Sequence, residues 1–172
     1  LAEAQSDLAK MGAMISAIDA ADAAIRATAQ NEGLLEQNMT VEQTSAYLDA
    51  QYTAMVSRIQ TLDVEIASLT DQKNAAEAAG NQEEAERLQQ RIDDDRSEQA
   101  RCQSVIDANA ARRARVNELN SSLTTLSTTK LALRNATVLL QARQQAESQL
   151  NNGLKPLQQT LNDTAAALRD QL

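Results

Sequence analysis

Residues 48–69 read LDAQYTAMVSRIQTLDVEIASL, and within them Leu48, Tyr52, Met55, Ile59, Leu62, Ile66 and Leu69 recur at gaps of four, three, four, three, four and three. A straight helix turns every ~3.6 residues, so this ~3.5-residue repeat lines all seven side chains along one narrow seam. Such a seam is useless alone in water. It needs a second helix to cover it, and the rest of the chain reads as the supply of that cover.

Downstream of the seam the helix meets Gly80 and Asn81. Glycine takes the left-handed conformation that closes a helix, and asparagine caps the next one. Glu83 and Glu84 follow, where negative charge suits the start of a helix. A tight helical hairpin tip is therefore predicted at Gly80 and Asn81. Upstream, Thr40 with Gln43 has the spacing of a capping box. The stretch before it, Ala4, Leu8, Met11, Ile15, Ile18, Ile25 and Ala29, follows the same alternating spacing, with Asp22 as its misfit. Asn31 and Gly33 offer a stop. Beyond the tip, neither Gly nor Pro interrupts the chain until Gly153. Leu88, Ile92, Cys102 and Ile106 begin its apolar side. Asn151, Asn152, Gly153 and Pro156 then interrupt, although leucine spacing runs on through Leu150, Leu154, Leu157 and Leu161. The expected helices span about 2–31, 41–79, 82–150 and 156–172, the last a short C-terminal one.

A turn centred near Gly80 pairs Leu69 with Ile92, Ile59 with Cys102, Met55 with Ile106, Ile15 with Ala146 and Met11 with Leu150. It also pairs Ile66 with Asp95 and Leu48 with Arg113, polar intrusions of the kind that fix register. The fold class expected is all-α: an elongated antiparallel helical hairpin or coiled-coil bundle of three long helices plus a short C-terminal helix, as one domain over residues 1–172. Each arm would reach ~100 Å at ~1.5 Å per residue. The same pairing sets the 31–39 connector opposite residues 120–137, which are rich in Ser and Thr and weak as helix.

Composition agrees. The 172 residues include no Trp, Phe or His, two Tyr, four Gly and one Pro. Ala, Leu, Ile, Val and Met fill narrow seams between helices better than a thick core, which normally uses aromatics. The net charge of −8 disfavours nucleic acid, whose phosphates it repels. That charge is uneven: residues 1–79 hold 12 acidic and 4 basic side chains, residues 80–120 hold 9 and 7, and residues 121–172 hold 3 and 5. The acidic first half is thus expected to attract the second. No apolar run reaches the ~18 residues that span a membrane, and no signal peptide is visible. A first residue other than Met suits a fragment of a longer protein.

Candidate chemistry is sparse. Without His the commonest base, metal ligand and triad partner are missing. Cys102 is alone, and its seam position suits a small buried hydrophobe. Asp93, Asp94 and Asp95 are consecutive on a helix, point about 100° apart and do not converge on a cation. Arg112, Arg113 and Arg115 suit ion pairs within the helix and across the hairpin better than a phosphate site. Four Asn-x-Ser/Thr tripeptides, at Asn38, Asn120, Asn135 and Asn162, are matches that such a composition produces by chance. No phosphate loop or dinucleotide fingerprint occurs. No cofactor, no metal and no enzymatic activity are expected.

The enrichment in Ala, Gln, Asn, Ser and Thr with few aromatics resembles that of bacterial secreted or envelope coiled coils. In outline the chain resembles the extracellular coiled-coil segment of type III secretion translocators. That resemblance implies a structural and protein-interaction module, secreted or in the cell envelope of a bacterium, working through a protein partner or self-association of its seams. The helical hairpins of efflux or secretion adaptors are similar in shape and form the alternative. Their Arg, Leu and Ser docking motif is missing around Ala75–Leu88.

Overall fold

The computed structural model describes residues 2–172. It is all-helical, with three helices: α1 (Ala2–Asn31), α2 (Val41–Ala78) and α3 (Gln82–Asp170). Contacts divide the chain into two compact units, one of Ile25–Ser122 and one of Leu1–Ala24 with Leu123–Leu172.

In the unit Ile25–Ser122, α2 begins at a capping box. Thr40 Oγ1 accepts from the Gln43 N–H at 3.2 Å, and Gln43 Oε1 accepts from the Thr40 N–H at 3.0 Å. The helix ends where the Gly80 N–H donates to the Glu77 carbonyl at 3.0 Å and the Asn81 N–H to the Ala76 carbonyl at 2.9 Å. Gly80 has φ +75°, which a side chain would strain. Asn81 Oδ1 then accepts from the Glu84 N–H at 3.2 Å and opens α3. The two helices run antiparallel. Ser45 meets Asn117, Arg58 meets Glu98, Glu65 meets Arg91, and Lys73 meets Gln89, rising numbers against falling ones. Between them Leu48, Leu62 and Leu69 are buried with Leu88, Ile92, Cys102 and Val116.

The connector departs from expectation. α1 closes at Gly33 (φ +66°), with Leu34 N–H donating to the Ala29 carbonyl. The chain then turns again at Asn38 (φ +61°). As a result Arg26 lies beside Glu42, with N–O distances of 2.7 and 2.9 Å, so the end of α1 overlaps the start of α2. Glu32 meets Arg115 and Glu36 meets Arg112. The connector therefore faces 112–115, not the Ser/Thr stretch of 120–137. Ala29, Val41, Thr44, Ser45 and Val116 are buried at this junction.

In the other unit, α1 again runs antiparallel to α3. Asp19 pairs with Lys130, and Thr137 Oγ1 donates to Met11 Sδ at 3.6 Å. Met11 thus meets Thr137, thirteen positions before the Leu150 expected opposite it. Ile15 likewise does not face Ala146, since a folded connector does not advance α1 along α3 as a straight arm would. The expected short C-terminal helix is also corrected: α3 runs unbroken for 89 residues through Gly153 and Pro156. Proline removes one N–H and orphans the carbonyl of Asn152. Residues 148–172 are exposed throughout, so water can satisfy that carbonyl. Thr160 Oγ1 donates to the Pro156 carbonyl at 3.0 Å, and Gln159 Nε2 to Asp163 at 3.0 Å, within the same turns.

Candidate interaction surface

The seam residues divide by depth. Leu48, Leu62, Leu69, Leu88, Ile92 and Cys102 are buried, while Met55, Ile59, Ile66 and Ile106 are half-buried. Leu69, Leu88 and Ile92 form one cluster, with Ile66 and Ala76 packed against it. Gly80 and Asn81 lie at the turn from α2 to α3, away from this cluster. Tyr52 is the outlier, 38 % exposed. Its ring carries the Arg113 guanidinium at 3.9 Å from the centroid, a cation over a π face.

Arg113 shows how the unit accepts a charge at a seam position. Its Nε donates to Asp49 Oδ1 at 2.7 Å. Asn117 Nδ2 donates to the same oxygen at 3.0 Å, and Ser45 Oγ donates to Asn117 Oδ1 at 2.7 Å. The Asn117 amide first, and Arg113 second, hold the Asp49 carboxyl below its ordinary range. Below this network a shallow groove of about 190 Å³ opens between α2 and α3, with Leu48, Met55, Val105 and Ile106 among its walls. A groove that small admits a side chain better than a ligand, whose pockets start near ~300 Å³. The sequence showed Arg113 at the seam but not its partner Asp49, one residue off the seam. Two opposed charges in register were the signal available.

Gln99 is handled similarly, donating to the Ile59 carbonyl at 3.1 Å and to Asp63 at 2.6 Å. Asp95 is not: its Oδ2 is buried without a hydrogen-bond partner. The remaining arginines close the connector. Arg112 Nε donates to the Leu34 carbonyl at 2.8 Å, and its Nη2 to Glu36 at 2.9 Å. Arg115 bonds Glu32 through two nitrogens and holds that carboxyl below its ordinary range. All three arginines of the basic cluster are thus taken up by the acidic first half of the chain. Among the described residues, no group of His, Cys, Asp and Glu could hold a metal ion, and no helix is long and apolar enough to cross a membrane.

The largest unsatisfied feature is apolar. Leu150, Leu154, Leu157, Leu161 and Leu168 are each more than half exposed, along one stripe of α3. The contacts of α1 with α3 reach as far as the hollow that Gln5 lines with Gln144 and Ser148. No protein-family model, curated protein or solved structure matches this chain.

Proposed function

We propose that the chain is a non-enzymatic coiled-coil module that presents helical seams to a protein partner, as in a bacterial secreted or envelope protein such as a type III secretion translocator ectodomain. The observation that carries this reading is the leucine stripe of 150–168, more than half exposed at every leucine. Scattered apolar residues on a surface need no explanation, but a stripe at seam spacing is what helix-in-groove or helix-on-helix recognition uses. The narrow core of Ile25–Ser122 supports the same reading, since its buried residues are mostly Leu, Ile and Val drawn from helix faces. A second reading, a hairpin that docks through its tip as in an efflux or secretion adaptor, draws on the tight turn at Gly80 and Asn81.

A photo-crosslinking amino acid placed at Leu154 tests the first reading, with Lys155 beside it as control. The expected result is protein adducts at Leu154 in several-fold excess over Lys155. Equal or absent adducts would remove the stripe as an interaction surface.

A further inference from the structure

The geometry points to a second copy of this chain as the occupant of the stripe, held antiparallel through residues 150–168; this rests on the interaction-module reading and deepens it.

Three observations favour a second copy. First, the stripe is self-complementary. Two copies of α3 laid antiparallel about Gln159 set Leu150 against Leu168, Leu157 against Leu161, and Leu154 against Thr164. A two-fold interface needs this property, because each side supplies the same patch to the other. Second, the flanks carry no charge. The positions bordering the stripe are Asn151, Gly153, Gln158, Thr160, Ala165 and Ala167. Copies of a chain with net charge −8 repel, yet here no like charges meet, and Gly and Ala allow close approach. Pro156 and Lys155 lie off the stripe. Third, the stripe continues an interface already present. Leu133, Ala136 and Leu140 are half-buried where α1 packs on α3, and the heptad frame that holds them runs on through Leu154 and Leu161.

The small area places the contact among weak, transient interfaces. Five leucines at this exposure offer roughly 500 Å² per copy, so about 1,000 Å² per pair, the low end for a specific interface. A dimer dissociating in the micromolar range is therefore expected.

The test is sedimentation of the whole 172-residue chain from about 5 to 500 µM. A monomer–dimer equilibrium is expected, and Leu157→Glu with Leu161→Glu should abolish it. Helical content at the dilute end, where the parent is monomeric too, should not change, because both side chains are exposed in the monomer. Gln158→Cys, near the two-fold axis, should form a disulfide-linked dimer on oxidation, whereas Cys102 is buried. A chain that stays monomeric throughout, or a dimer indifferent to the two glutamates, overturns the proposal. The photo-crosslink at Leu154 separates the two readings. Adducts to a different protein in a monomeric chain sink self-association and keep the module; adducts to nothing sink both.

Discussion

Asp95 occupies a place where the seam would accept hydrocarbon. Its Oδ2 is enclosed without a partner, and burial pushes the carboxyl up, with Glu65 and Glu98 adding to the effect and Arg91 and Arg58 opposing it. A carboxyl raised on folding is neutral in both states at low pH, so its penalty vanishes below its unfolded value of 3.8 and is complete at neutrality. Asp95→Asn should therefore melt higher than the parent at pH 7, by about 2–4 °C. The gap should close by about pH 3. A variant that melts at or below the parent at pH 7 would show that the acid is solvated. Glu42 has the opposite sign. The Arg26 guanidinium beside it holds its carboxyl down to about 2, from an ordinary 4.5. Its contribution is complete above 4.5 and is lost as pH falls through about 2. Both side chains are over 40 % exposed, so screening limits the pair to about 1 kcal/mol at most. Glu42→Gln should lower the melting temperature by no more than about 4 °C at pH 7, and by less at pH 2.5. An unchanged difference across that interval would detach Arg26 from Glu42.

Helices and turns carry a second set of consequences. Gly80 and Gly153 are both free of close neighbours, yet they should respond oppositely to alanine. At Gly80 the φ of +75° makes any side chain strained, so Gly80→Ala should cost about 1 kcal/mol. Gly153 lies inside α3, where Gly153→Ala should add about 0.5–1 kcal/mol of local helix stability, seen as slower amide exchange across residues 150–156. If both substitutions destabilise, residues 150–156 are not helical in solution. Cysteines at Leu69 and Ile92, which share one cluster, should crosslink within one chain; only intermolecular links would refute the turn at Gly80. The all-α class and the bounds of α1 and α2 were legible because seam spacing and capping signals agree, as at Thr40 and Gln43. Two elements were not legible. Pro156 reads as a helix start, but its penalty depends on whether water reaches the freed carbonyl, which sequence does not encode. The position of α1 depends on two left-handed residues, Gly33 and Asn38, and on the Arg112 and Arg115 bonds to the connector. Those are contacts across more than seventy residues, invisible to local periodicity. Arg113 was legible as a seam intrusion opposite Leu48, but its partner Asp49 was not, because Asp49 lies one residue off the seam.

At the scale of the molecule, burial is unequal between the units. Eleven of the twelve enclosed apolar side chains among the described residues lie from Ala29 to Leu119, and the twelfth is Leu123. The unit Ile25–Ser122 therefore holds nearly all of the fully enclosed apolar side chains, each stabilising at ~25 cal/mol per Å² of apolar area removed from water. In the other unit α1 and α3 touch through half-buried residues, and among the described residues nothing buries 148–172. Helices that long are held by packing more than by propensity, so an uncovered stretch frays. Local opening free energies follow contact density, which makes amide exchange the direct readout. In dilute protein, amides of Leu62–Leu69 and Leu88–Ile92 should exchange at least ~100-fold more slowly than those of 150–170. Raising the concentration into the range where the proposed dimer forms should slow exchange in 150–168 alone. Uniform protection along α3 in dilute solution would mean that the leucine stripe is stable without a partner, and the case for any occupant would lose its physical basis.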